Sequence, residues 1–164
     1  MAVTSDIAEC YRAPRRVAAR LLSRGKREDM ALLFVLFACI LMFVAQAPYQ
    51  SRLAHIDPAT PVEARLYWSA LIWVFLLPFG LYLFAAFCWM LCRIAGRQIT
   101  GFEMRLTLFW ALLAAAPLAL LAGLVAAFIG PALQFQITLG LWMVAFGIFW
   151  IAGLLEANKE NSVT

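Results

Sequence analysis

Four stretches of this chain are apolar over a membrane-crossing length and contain no Asp, Glu, Lys, Arg or His. They cover residues 30–48, 66–92, 106–128 and 133–155. A helix rises about 1.5 Å per residue, so roughly 20 apolar residues cross the ~30 Å hydrocarbon core of a bilayer. Helices also pair their backbone groups within the segment, as a lipid environment requires. The pattern therefore predicts an all-α integral membrane bundle of four transmembrane helices.

The composition favours a membrane protein over a soluble one. Of the 164 residues, 65% are hydrophobic and 13% are charged, whereas soluble domains contain about 25% charged residues. The absence of ionisable residues from the four stretches argues against proton relays, voltage sensors and ion-coupled carriers, which usually need such groups at depth.

Positive charge is concentrated in residues 1–29, ahead of the first span. Pro14 stands where a helix can begin and Gly25 where one can end. The intervening apolar and basic residues fall on two faces, which is typical of a short basic amphipathic helix in the membrane interface. A disordered positive tail is the alternative. We expect contact with anionic lipid headgroups, and none with nucleic acid, through this segment. The basic residues concerned are Arg15, Arg16, Arg20, Arg24, Lys26 and Arg27.

Small residues form regular patterns in the third and fourth spans. The third span has one at every fourth position: Ala111, Ala115, Ala119, Gly123 and Ala127. Small side chains let helix backbones approach closely in lipid. Each step of four residues turns this row by about 40°, so we expect the third helix to contact at least two neighbours. In the fourth span, Gly140 and Gly147 predict a second face for close helix contact.

Two prolines interrupt the second and third spans at similar depth. Pro78 and Pro117 each lack the backbone donor that an α-helix needs, so a kink is expected at both. Paired breaks can form a binding site in transporters, although proline kinks are also common in membrane helices without a ligand. The binding alternative predicts a cavity at that depth containing Gln46, Ser69 or Tyr82.

The connecting segments predict the orientation. The side holding the N-terminus, the 93–105 loop and the 156–164 tail has eleven Lys and Arg residues, and the other side has two. The positive-inside rule therefore predicts that both termini are cytoplasmic. Thr100 and Glu103 predict a capping box at the start of the third helix. We expect a polar loop over residues 49–65, a tight turn over 129–132 and a mobile polar tail.

Few residues are candidates for catalysis or metal binding. His55, Asp57 and Glu63 lie on the predicted outer loop, where a solvated loop is the simpler interpretation than a catalytic or metal site. The cysteines lack metal-binding spacing and are expected to serve packing: Cys10, Cys39, Cys88 and Cys92. We therefore expect no catalytic residue, no metal ligand and no cofactor.

Three parts of the sequence resemble the Yip family, membrane proteins named for interaction with Rab-type GTPases that also have many small bacterial members. Residues 11–22 place Pro14 and spaced apolar residues ahead of the first span. A glycine-bearing loop then leads into an apolar helix, which contains a Pro-Leu pair near its middle. The positions that match the family pattern are Gly96, Thr100, Phe102 and Pro117.

The resemblance implies a cytoplasmic N-terminus and, for a bacterial-type member, the inner membrane. Family members typically have one span more than the four counted here. The expected function is that of a non-enzymatic scaffold or accessory protein that binds lipid, other membrane proteins or its own copies. The alternative is a small transporter or lipid-handling protein with a site between the proline-broken second and third helices.

Overall fold

The structure is a computed structural model that describes residues 3–57 and 59–163, with side chains described as far as Lys159. All regular secondary structure in this part of the chain is helical. The helices are α1 (Val3–Cys10), α2 (Pro14–Leu22), α3 (Glu28–Ile56), α4 (Val62–Ala70), α5 (Leu77–Ile94), α6 (Gly101–Phe128) and α7 (Leu133–Val163). A π-helical segment, Leu71–Leu76, joins α4 to α5, so they form one continuous helix, Val62–Ile94.

Four of these helices are long and apolar enough to cross a membrane: α3, the α4–α5 helix, α6 and α7. The predicted all-α bundle is therefore confirmed. α6 is central, because it packs extensively against α3 and α7 and also contacts α5. The expectation that this helix has at least two neighbours is confirmed. The α4–α5 helix is peripheral, since only 6% of its most apolar 18-residue window is buried, compared with 50% for α6.

α3 and α6 approach each other closely at Gly123 in α6. A Cβ atom there would overlap the backbone carbonyl oxygen of Ala45 in α3, so the two backbones touch at this point. The remaining members of the predicted small-residue row are buried or half-buried: Ala111, Ala115, Ala119 and Ala127.

The predicted glycine face of α7 does not form within the described chain. A Cβ atom on Gly140 or Gly147 would meet nothing within 4 Å. The glycine of α7 that makes a close contact is Gly153, where a Cβ would lie 2.9 Å from Cγ2 of Thr107 in α6. Gly147 lies six residues before Gly153 and is therefore about 120° away around the helix. α7 thus turns a different face towards α6 than the heptad spacing predicted.

α3 is longer than the first predicted span. It continues through Pro48, so residues 49–56 are helical rather than part of a polar loop. Pro48 removes one backbone hydrogen bond, but the extension is anchored where Arg52 Nη1 donates to the carbonyl oxygen of Ala127, 2.8 Å away. That carbonyl lies in the last turn of α6, where carbonyl groups lack partners within the helix.

α7 also extends beyond its predicted span. The residues predicted as a polar tail are helical as far as Val163, and Ala157 is fully buried. Tertiary packing therefore holds this helix beyond its apolar part. Residue 164, which belongs to the predicted tail, lies outside the described residues, as do residues 1, 2 and 58.

The two prolines within the predicted second and third spans differ in their surroundings. The π-helical segment Leu71–Leu76 comes directly before α5, in which Pro78 occupies the first turn. Pro78 has no N–H to offer the preceding turn, and the helical hydrogen bonding is irregular there. α6, by contrast, runs through Pro117 as a continuous α-helix.

The N-terminal helices pack on the bundle. α2 begins at Pro14, and Gly25 beyond its end has a φ of +78°, a conformation that glycine adopts readily. Val17 and Leu21 on its apolar face are buried, and α2 packs mainly against α7. The apolar face expected to lie in the membrane interface is therefore covered by protein.

Candidate functional site

A cavity of about 510 Å³ lies among α3, α5, α6 and α7. The space exists because the residues of α6 at this point are small, and its side walls consist mostly of large apolar side chains. The α6 wall includes Ala119, Ala122, Gly123 and Ala126. The side walls include Trp73, Leu77, Phe84, Phe135, Trp142 and Phe146.

The helix arrangement explains why the space is left open. The contact between Gly123 and Ala45 brings α3 onto α6, and these two helices form the back of the cavity. α5 and α7 both pack on α6 but have little backbone contact with each other. The rings of Phe84 and Trp150 meet across this gap, with centroids 5.8 Å apart.

The cavity wall is uncharged and contains three polar groups without partners. Gln46 and Tyr49 lie three residues apart on α3, and both side chains line the cavity. Neither side chain takes part in a hydrogen bond within the described part of the chain. The Nε1 atom of Trp142 is also buried without a partner among these residues. The wall therefore offers an amide and a hydroxyl to a bound molecule, whereas the Trp142 Nε1 atom is itself buried.

The cavity lies between the proline-containing helices, where the binding alternative predicted one. Leu77, next to Pro78, lines it, as does Ala119, two residues after Pro117. Of the three polar residues predicted there, only Gln46 contributes to the wall. Ser69 is buried elsewhere, and the Tyr82 ring packs edge-on against Phe109 at a centroid distance of 4.9 Å.

The basic residues expected at lipid headgroups divide into two groups. Arg20 Nη1 lies 2.9 Å from Asp6 Oδ1, and its Nη2 lies 2.9 Å from Glu9 Oε1. Arg24 is 3.9 Å from Asp6, and Arg27 is 3.0 Å from Asp29. These three arginines are therefore paired within the protein. The other three residues are exposed and have no ion-pair partner in the described part of the chain: Arg15, Arg16 and Lys26.

The acidic partners on α1 were not recognised from the sequence. Asp6 and Glu9 are three residues apart, so they lie on one face of that helix. This spacing could have indicated an acidic face that pairs with the basic helix directly after it. The resulting ion pairs hold α1 against α2.

An open groove separates the first turn of α2 from α7. Its volume is about 480 Å³, and Arg15 and Arg16 lie on one side. The α7 side is apolar and includes Ile148, Ile151 and Leu155. We call this feature the α2–α7 groove.

The residues of the family pattern have separate structural roles. Gly96 has a φ of +72° in the loop after α5. Thr100 forms the predicted capping box, since its Oγ1 accepts from the backbone N–H of Glu103, 3.3 Å away, and the Glu103 side chain accepts from the backbone N–H of Thr100. Phe102 is buried, whereas Pro117 is exposed in the middle of α6.

The residues considered for chemistry are dispersed. His55 and Glu63 are exposed, and the carboxylate of Asp57 pairs with Arg65 at 2.7 Å. Within the described ranges, the structure contains no group of three His, Cys, Asp or Glu side chains that could hold a metal ion. The four cysteines are free thiols.

No family model matches this chain, and comparisons with curated proteins and with solved structures gave no significant match. The chain is therefore a small helical protein with four helices long and apolar enough to cross a membrane and an uncharged cavity among them.

Proposed function

We propose that this chain is a non-enzymatic membrane protein that binds a lipid or a lipid-like apolar molecule in the cavity among α3, α5, α6 and α7. The observation that carries the proposal is an uncharged cavity of about 510 Å³, lined mainly by apolar side chains from all four long helices. Ligand sites typically have volumes of about 300–1,000 Å³ and contain a few polar groups in an apolar wall.

Recognition at this site depends on shape and hydrogen bonding. Acyl chains in the bilayer are already in an apolar environment, so their transfer into an apolar cavity gains little from the hydrophobic effect. Packing against the aromatic walls and hydrogen bonds to Gln46 and Tyr49 supply the selectivity. A bilayer lipid would enter between α5 and α7, because these helices meet through side chains such as Phe84 and Trp150 and have little backbone contact.

We also propose an orientation and a membrane for this protein. We place both termini in the cytoplasm, because eleven of the thirteen Lys and Arg residues lie on that side of the spans. The resemblance to small bacterial Yip proteins favours the bacterial inner membrane. This orientation puts α1, α2 and the 93–105 loop on the cytoplasmic side.

A scaffold or accessory role is the second candidate, and the peripheral position of the α4–α5 helix favours it. Phe79 and Leu83 on this helix are 64% and 58% exposed. A partner helix could cover this surface without disturbing the rest of the bundle. Recovery of a stoichiometric partner protein together with an empty cavity would favour this function over lipid binding.

Native mass spectrometry of protein purified in mild detergent tests the cavity proposal, with extracted lipids identified separately. We expect a bound lipid on the unaltered chain and its loss from Ala119→Phe, which fills the cavity. Leu124→Phe is the matched control, because Leu124 lies on the same helix, is 45% exposed and does not line the cavity. Equal lipid occupancy in folded samples of both variants would refute the proposal.

A further inference from the structure

We propose that the α2–α7 groove is a separate binding site for one anionic phospholipid, with the phosphate at Arg15 and Arg16 and an acyl chain along α7. This site goes beyond the cavity described above. It lies on the surface between α2 and α7, and the two sites share no lining residue.

The groove carries a net positive charge. Asp6 and Glu9 of the neighbouring α1 bind Arg20, and no acidic residue lines the groove. Arg15 and Arg16 are exposed and have no ion-pair partner in the described residues. Their positive charge is therefore available to a phosphate, which the planar guanidinium group binds through two parallel hydrogen bonds.

The opposite side of the groove is apolar and suits an acyl chain. Ile148, Ile151 and Leu155 are 53%, 58% and 43% exposed. They lie one helical turn apart along α7 and form an apolar strip beside the two arginines. A free phosphate would use the arginines alone, whereas a phospholipid matches both sides of the groove.

The arginines are held on a fixed support. Val17 and Leu21 are buried beneath α2, and Arg20 binds this helix to α1. Little backbone ordering is therefore needed on binding, in contrast to a disordered basic tail. This arrangement distinguishes a defined lipid site from general attraction of positive charge to the membrane surface.

The test compares the binding of phosphatidylglycerol and phosphatidylcholine to the full chain in nanodiscs, by native mass spectrometry. Because both guanidinium groups would bind the phosphate directly, R15Q/R16Q should weaken phosphatidylglycerol binding by roughly thirtyfold. The control R12Q/R97Q removes the same charge, and Arg12 and Arg97 are exposed and lie outside the groove. Salt screens exposed charges that lie away from the phosphate, so this control should change phosphatidylglycerol binding by less than about threefold. Equal losses in the two double variants would overturn the proposal in favour of diffuse attraction.

I148A/I151A tests the apolar side of the groove and should weaken phosphatidylglycerol binding while the fold and the cavity lipid are retained. Inorganic phosphate serves as the competing free anion. If phosphate displaces the phospholipid completely and I148A/I151A binds normally, the groove takes a free anion and the lipid proposal fails. If Ala119→Phe loses the cavity lipid but still binds phosphatidylglycerol in the groove, the two sites act independently, and the groove proposal stands apart from the proposed function.

Discussion

The hydroxyl group of Tyr11 donates a hydrogen bond to the backbone carbonyl oxygen of Ala114, 3.1 Å away. This bond joins the turn between α1 and α2 to the middle of α6, just before Pro117. The Tyr11 ring also packs edge-on against Phe149, with centroids 5.1 Å apart. A tyrosine hydroxyl is protonated at neutral pH and can donate, and partial burial raises the pKa of Tyr11 further.

Tyr11→Phe should remove this hydrogen bond and retain the ring contact with Phe149. We expect a loss of about 1 kcal/mol of stability and a melting temperature lower by about 2–4 °C. Thermal unfolding in detergent measures the change. Tyr67→Phe is the control, because the Tyr67 hydroxyl makes no hydrogen bond within the described residues. An equal shift in both variants would contradict the assigned role of Tyr11.

Gly123→Ala should destabilise the bundle, because its Cβ would overlap the carbonyl oxygen of Ala45. Separating α3 from α6 to relieve this overlap is expected to cost about 1–3 kcal/mol. Gly140→Ala is the matched control, since a Cβ there meets nothing within 4 Å. Alanine should stabilise that helix by up to about 1 kcal/mol. Thermal unfolding of the two variants should therefore shift in opposite directions, and a shared direction would disprove the contact.

Arg20→Gln should release α1 from α2. The side chain of Asp6 is only 7% exposed, and it would lose its closest cationic partner. Because Arg20 itself is one-third exposed, we expect a local cost of about 1–2 kcal/mol, below that of a fully buried pair. Alkylation of the buried Cys10 should then become roughly tenfold faster in a variant that has no other cysteine. The rate should be unchanged in Arg15→Gln, and a similar increase there would argue against the Arg20 pairing.

Cys10 should make stability depend on alkaline pH. Burial raises the pKa of its thiol from an ordinary value of 9.0 to about 11. Because the folded state favours the protonated thiol, its contribution is present below pH 9.0 and is lost as the pH rises towards about 11. Chemical unfolding should therefore show that the free energy of unfolding of the variant containing only Cys10 falls across this pH range, relative to that of a cysteine-free variant. A constant difference between the two variants would contradict this assignment.

Local features of the fold were predictable from the sequence. The four apolar helices follow from runs of residues that lipid would surround, and the capping box follows from the spacing of Thr100 and Glu103. Gly123 was predictable as a close-contact position, because a small residue in such a row has few other roles.

Features that depend on distant elements were not predictable in the same way. The pairing of Arg20 with α1 requires the hairpin between α1 and α2, which the basic composition of the segment concealed. The rotation of α7 could not be read from Gly140 and Gly147, because an almost uniformly apolar helix can present any face to its neighbour. The cavity was expected between the two prolines, but its polar wall depends on the rotation of α3 that brings Gln46 and Tyr49 together.

The backbone contact between Gly123 and Ala45 has a mechanical consequence for the cavity. With no side chain between them, α3 and α6 cannot move closer, so this pair forms a stiff rear wall. The α4–α5 helix and α7 face it through side chains, which include Trp73, Phe84 and Trp142. Expansion to admit a larger molecule must therefore come from the displacement of α5 or α7, while the spacing of α3 and α6 stays constant.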